Sequence, residues 1–387
     1  MRSELQSQAV LLAVMLVSAA PLAAQGVPVV PLGKADAEYE ESFDQVTAVR
    51  ELSDGRVIVA DQFAKTVSLV DLRRGTATAI GREGQGPAEF AMPRGLVALP
   101  GDTTLVVDPP QSRFLVVPPS GKPSGTLAMP IGGPTALLGV RGADRQGRIY
   151  FAGPRFSGQI PQDGNLPDSV GVLRWDRARS KVDTVAKVKV PSMAVSTGGS
   201  GNSRSFMMRQ RPLAEQDDWS VTPDGRVGVA RVGQYHVDWF GGAQRVSGPP
   251  VAFRPVPVTQ ADKDELNRRM NDSRGAMRMT VGGPPRSGSG GAPAPRPPVG
   301  DADWPEVKPP FVEQTTMAAP DGSLWVRRSQ PQGAAALYDV FDAQGKLLRQ
   351  VSLAKGMRVV GFGAASVYVA RTDDDDLQYL MRFRRPG

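Results

Sequence analysis

One supersecondary unit recurs down this chain and limits what the chain can become. A short turn carrying Asp and Gly leads into a nearly unbroken apolar strand. The copies are LSDGRVIVAD (Leu52–Asp61), LPGDTTLVVD (Leu99–Asp108), ADRQGRIYFAG (Ala143–Gly153), TPDGRVGVAR (Thr222–Arg231), APDGSLWVRR (Ala319–Arg328) and the degenerate FGAASVYVAR (Phe362–Arg371). An Asp-Gly or Gly-Asp pair tolerates the positive backbone angles of a tight hairpin turn. The strand behind it, such as Val57-Ile58-Val59 or Leu324-Trp325-Val326, is apolar at successive rather than alternate positions. A strand of that kind has both faces covered by other sheets. Units of about 40–50 residues with four short strands each are what a radial arrangement of sheets requires. The six copies predict an all-β chain, a six-bladed β-propeller of four-stranded antiparallel blades.

Blade one reads as Val46–Arg50, Arg56–Ala60, Thr66–Asp71 and Thr76–Ile80, and the pattern continues through blade five. The last blade shows only three strands, Val359–Phe362, Ser366–Ala370 and Gln378–Phe383. Gly26–Leu32 (GVPVVPL) is an apolar strand with no hairpin partner beside it. This N-terminal strand is expected to close the last blade, which removes the open seam of the ring and its aggregation-prone edges.

Loops joining first to second and third to fourth strands share one rim of such a ring. Loops joining second to third strands, and blade to blade, share the other. The first set is short throughout: SDGR, PGD, RQG and PDG, with Arg73–Gly75, Pro119–Lys122, Gly241–Ala243 and Ala343–Lys346. Every long excursion belongs to the second set: Gly153–Asp168, Pro191–Asp217 and Pro249–Pro310, joined by the shorter Gly81–Arg94. Function is expected on the elaborated rim. Within the largest excursion, Thr259–Met279 opens on a Thr259/Asp262 helix-start signal. Gly282–Gly300 is low-complexity, either a formless surface segment or a cover over the channel mouth.

Residues 1–24 read as a secretory leader, with Arg2, the apolar run Ala9–Ala20, and small residues at Ala23 and Ala24 before Gln25. The run is short for a bilayer span, and an uncleaved anchor is the alternative. The expected mature chain, residues 25–387, is a propeller with a helical and low-complexity insertion at about 254–310, periplasmic or secreted, with no integral membrane segment and monomeric. The chain has no Cys, which excludes disulfides, thiol chemistry and lipid attachment at a cysteine. A formal charge of +7 favours acidic partners. Basic residues are scattered, however, and aromatics make up 6% of the chain, so the concentrated stripe and stacking platforms of a nucleic-acid binder are missing.

The stretch GREGQGPAEFAMPRGLVALPGDTTLVVDPPQSRFLVV resembles the repeat of NHL-type propellers and of exported bacterial six-bladed propeller proteins. Gly84, Gly86, Pro87, Phe90 and Pro93 match the loop before a blade; Val106, Asp108, Arg113 and Phe114 match the link between second and third strands. Blade one keeps Val59 and Asp61 but has Thr66 in place of the Arg. The resemblance implies the architecture and leaves the activity open, because the fold hosts binding modules and enzymes alike.

Asp61 and Asp108 end second strands on the elaborated rim, where such a residue caps its own turn, pairs with an Arg such as Arg113, or meets a ligand. Arg204, Arg209 and Arg211, with Phe206, Met207 and Met208 between them, give the loop Pro191–Asp217 a basic and apolar character suited to an anionic or amphipathic ligand. A gluconolactonase-type site needs Glu, Asn and Asp around a divalent metal. Its Glu-Gly-Pro-x-Trp motif is missing, and the nearest residues, Glu51 and Asn202, lack the right neighbours. His236 is the chain's one histidine and cannot build a histidine metal site, such as that of peptidyl-hydroxyglycine-type lyases, by itself. Asp373–Asp376 reads as a solvated charge run, with a bound hard cation as the alternative. No metal or cofactor motif is present, so none is expected. The sequence favours a binding or protein-interaction scaffold for an unidentified protein, peptide or anionic small ligand. A metal-assisted hydrolase or lactonase with carboxylate ligands in the channel is the alternative.

Overall fold

A computed structural model describes residues 26–131, 137–155, 166–198, 205–272, 279–280 and 303–387. Residues 1–24, expected to be a secretory leader, and Gly282–Gly300 lie outside the described residues. The chain is a six-bladed β-propeller with four-stranded antiparallel blades. The innermost strands are Val46–Glu51, Gly95–Ala98, Val140–Ala143, Asp218–Val221, Met317–Ala318 and Met357–Phe362. Each of the first four adjoins the next around the hub, and the sixth returns to the first.

The apolar second strands behave as their composition requires. Val57–Asp61 and Thr104–Asp108 are buried at every residue, because each blade is covered on both sides. The core is not one mass but six clusters, one in each seam between neighbouring blades. Ile58 and Leu69 meet Val106 and Leu115; Phe114 meets Phe151 and Trp175; Tyr150 meets Trp219 and Val229. Trp239 meets Val326 and Phe341, Trp325 and Tyr338 meet Val367 and Val369, and Val57 and Val59 meet Tyr368 and Leu380. Each fully buried large apolar side chain contributes on the order of 1.5–3 kcal/mol, so every seam carries enough to hold its two blades together. Close approach in the blade four to five seam depends on Gly228: a Cβ there would sit 2.8 Å from the Trp239 ring and 3.0 Å from Leu324. The hairpin glycines Gly55, Gly225 and Gly322 hold φ near +87°, as their Asp-Gly turns demand.

An N-terminal strand does close the last blade, but it is not the apolar one. Ala35–Glu38 pairs antiparallel with Gln378–Arg384 and completes blade six. Within Gly26–Leu32, Val29–Pro31 instead adds in parallel to the outside of blade five, Val29 opposite Gln350 and Pro31 opposite Ser352. An outer strand is half-solvated, so the polar ADAE serves there as well as an apolar segment would.

The two rims differ as expected. First-to-second and third-to-fourth connections are tight turns throughout, whereas the excursions rise from the opposite rim. There Met193–Gly198 and Ser205–Gln210 form a hairpin to which Met279–Thr280 adds, a small sheet inside the stretch that reads as loop. Helix Gln260–Asp272 starts at the expected signal. The Asp262 carboxylate accepts the Thr259 backbone N–H (2.9 Å) and hydroxyl (2.8 Å). Lys308 anchors the helix with a buried ion pair to Asp262 at 2.5 Å, and also donates to the Gln330 carbonyl.

Candidate functional site at the mouth of the bore

Inner strands descend from the elaborated rim, so the residue at the head of each one stands at the mouth of the central bore. Arg94 precedes the inner strand of blade two, its backbone N–H bonded to the Val107 carbonyl. In blade three the register shifts between Val140 and Gly142, leaving Arg141 as the extra residue of a β-bulge. A bulge re-aims its side chain, and Arg141 reaches into the next blade to the buried Asp218 at 3.0 Å. Asp218 also accepts the backbone N–H groups of Thr315 (2.9 Å) and Thr316 (2.8 Å), so one carboxylate joins blades three, four and five.

Glu313 stands on the blade five approach to the same cluster. Its Oε2 accepts the side-chain amide of Gln210 at 3.0 Å and that of Gln216. Its carboxyl is pushed above the usual glutamate range, first by burial and further by the charge of Asp218. Arg94 is exposed, with its guanidinium partly desolvated by the protein around it. That desolvation, with the like charge of Arg141, pulls its pKa below the ordinary arginine value. Beside the mouth, a cleft of about 600 Å³ opens between helix Gln260–Asp272 and blades five and six, lined among others by Leu213, Leu266, Lys308, Glu313, Arg327 and Lys355.

The residues singled out from sequence are not gathered into one place. Asp61 is 1% exposed, and its carboxylate accepts the backbone N–H groups of Asp44 (2.7 Å), Gln45, Phe63 and Ala64. Asp108 is fully buried and accepts those of Ala91 and Met92. Arg113 lies directly across from Asp108 in the sheet, but donates to the carbonyls of Gln85, Gly86 (2.6 Å) and Glu89. These three side chains therefore fasten the chain segments that enter blades one and two. Arg211 is exposed at the foot of the insertion hairpin, its N–H bonded to the Ser192 carbonyl. Arg209 pairs with Ala194 through the backbone; its side chain, and all of Arg204 and Asn202, lie outside the described residues.

Glu51 ends the inner strand of blade one on the plain rim and accepts the Tyr368 hydroxyl. His236 sits half-buried, its Nδ1 on the Gln234 carbonyl and its Nε2 3.4 Å from Asp238. Asp373 closes its own turn by accepting the N–H groups of Asp375 and Leu377. Among the described residues no three His, Asp or Glu side chains group closely enough to hold a metal ion. No described helix is long and apolar enough to cross a membrane. Sequence reasoning missed Arg94, Arg141, Asp218 and Glu313. The available signal was positional: each lies at or just before the head of an inner strand.

No protein-family model matches the chain, and no curated protein matches it. Its likeness is to solved structures. A candidate exported protein of Bacteroides fragilis is 11% identical over 92% of this chain and 94% of that one, with a TM-score of 0.49. A DUF4221-family member from Bacteroides vulgatus is 8% identical over 90% and 95%, with a TM-score of 0.47. A gluconolactonase from Xanthomonas campestris is 12% identical over 90% and 91%, with a TM-score of 0.44. At these identities and TM-scores the likeness says nothing of this chain's chemistry.

Proposed function

We propose that the mature protein is an exported, monomeric binding module that takes a protein, peptide or small anionic ligand on its elaborated rim. The observation that carries this reading is the asymmetry of the two rims. One is sealed by tight turns, whereas the other bears the insertion hairpin, the helix, the cleft and the mouth of the bore. The exposed large apolar side chains Phe63, Ile131, Leu138, Phe253 and Val307 stand in connections of that same rim. Apolar groups left in water along one rim are what a binding surface offers. In this reading Asp61, Asp108 and Arg113 shape the rim, and Arg204, Arg209 and Arg211 are presented to the ligand.

The test is capture from the native envelope by immobilised protein. Replacing Phe63 and Leu138 with Ser, or the three arginines with Gln, is expected to reduce capture several-fold. Replacing Arg73 and Lys346 on the plain rim is expected to leave it unchanged. Equal capture by rim and plain-rim variants would overturn the reading.

A further inference from the structure

We propose that the cleft between helix Gln260–Asp272 and blades five and six is a peptide site, which holds a short peptide by its free carboxylate and ammonium ends. The inference deepens the binding reading and rests on the elaborated rim being the functional one.

The cleft has a volume of about 600 Å³, within the range of about 300–1,000 Å³ typical of small-ligand pockets. That volume suits a peptide of a few residues and not a folded partner. Its walls come from the helix, the foot of the insertion hairpin, blade five and blade six. The charged groups on those walls divide into committed and uncommitted ones. Lys308 is held by Asp262 at 2.5 Å and by the Gln330 carbonyl at 2.9 Å, and Arg328 by Asp339 at 2.9 Å. Glu265 pairs with Arg268 along the helix.

Arg327 is half-buried at the end of its strand, and Lys355 is exposed on the approach to blade six. Both line the cleft, and neither side chain has a hydrogen bond or ion pair among the described residues. Nor has the Asp376 carboxylate on the blade six wall. Glu313 keeps Oε1 open, since both glutamine amides bond to Oε2. The cleft therefore presents open groups of both signs on walls that are otherwise apolar or small, such as Leu213, Leu266, Val312 and Ala334. A ligand carrying one charge would leave the open groups of its own sign facing an apolar body. A zwitterion with an apolar body meets both, and the planar guanidinium of Arg327 is the natural partner for its carboxylate. The backbone adds a further match. Residues 332–335 are exposed along the cleft, and of their backbone N–H groups only that of Ala334 is bonded among the described residues, to the Pro331 carbonyl at 3.1 Å. Open backbone donors beside a groove are what the carbonyls of an extended peptide bind, and an amphipathic acid has none to offer them.

The test is titration calorimetry of the mature protein with alanyl-leucyl-alanine, its N-acetylated and C-amidated forms, and octanoate. The wild type is expected to bind the free tripeptide, and each capped form at least ten-fold more weakly. Arg327→Gln is expected to weaken the free tripeptide at least ten-fold and the C-amidated form no further, because the partner it loses is the carboxylate. Ala334→Trp, at an exposed position, fills the cleft and is expected to abolish binding, whereas the plain-rim Arg73→Gln leaves it unchanged. Arg327→Gln removes no hydrogen bond or ion pair of the protein's own side chains and should melt no lower than the wild type. No binding of the free tripeptide by the wild type, equal binding of free and capped forms, or octanoate bound as tightly as the tripeptide would overturn the proposal. A tripeptide that fails to bind while envelope capture persists would remove the peptide site and leave the rim reading standing by itself.

Discussion

Arg141 and Asp218 are far apart in sequence, yet in the ring they lie 3.0 Å apart, the first on the bulged inner strand of blade three and the second at the head of that of blade four. Asp218 also holds the approach to blade five through two backbone N–H groups. Asp218→Ala strands an arginine and two amides at once. Removing one partner of a buried charged network costs about 3–5 kcal/mol. The expected result is an unfolding free energy lower by that amount in denaturant titration, with a smaller loss for Arg141→Gln. Equal, small effects would show that the three blades are held by their apolar seams alone.

A second prediction concerns acid. Asp238 is fully buried in blade four and faces Arg231 (2.7 Å), Arg245 (2.8 Å), Ser247 and His236. Burial by itself pushes its carboxyl up, but the hydrogen bonds from Ser247, Arg231 and Arg245 outweigh that and hold it below the ordinary aspartate value. A depressed folded-state pKa gives stability that is present above the unfolded value and lost as pH falls through the folded one. Asp238 therefore stabilises the blade at neutral pH; the contribution begins to fall near the ordinary aspartate value of about 4 and is gone only below the depressed folded value. Asp238→Asn is expected to lower the melting temperature at pH 7 and to converge on the wild type in acid. A difference independent of pH would contradict it.

Glu313 has the opposite sign. Its folded-state pKa is raised by burial and by Asp218, with Arg141, Gln210 and Gln216 opposing. Stability linked to a raised carboxyl is present below its unfolded pKa and falls as pH rises through the folded one. Glu313→Gln, which keeps an oxygen for the two glutamine amides, is expected to match the wild type at pH 4 and to be no less stable at pH 8. Thermal unfolding across that range checks the sign.

Closure of the ring separates the two N-terminal strands. A chain beginning at Lys34 lacks Val29–Pro31, which adds to the outside of blade five, and the buried Leu32, and is expected to lose about 1.5–3 kcal/mol while the ring stays closed. A chain beginning at Asp44 also lacks Ala35–Glu38 and the Tyr39 and Phe43 contacts, which opens blade six. Tyr39 and Phe43 are both buried, so the second truncation is expected to cost several kcal/mol, at about 1.5–3 kcal/mol for each buried large side chain. Sedimentation is expected to show association through the bared edge of Gln378–Arg384.

The architecture was legible because its determinants are local. A turn glycine and an apolar run such as Leu324-Trp325-Val326 specify a hairpin without reference to the rest of the chain. Loop length then distinguished the rims, and the Thr259/Asp262 signal started the helix where it stands. The closing strand was misplaced because hydrophobicity is a poor guide at an outer edge, where ADAE buries only one half-face and GVPVVPL stands out. The insertion hairpin was hidden because it packs outside the repeat. The mouth was not legible at all. Arg94, Arg141, Asp218 and Glu313 are ordinary charged residues in sequence, and only closure of the ring brings them together.

That ligands meet the elaborated rim is tested most directly by lysine-directed crosslinking of the mature protein to material captured from its native envelope. Lys65 and Lys355 are exposed on the elaborated rim, and Lys122, Lys181 and Lys346 are exposed on the plain one. Crosslinks are expected at Lys65 and Lys355, with the other three left unmodified by partner. Crosslinks concentrated at Lys122, Lys181 and Lys346 would contradict it.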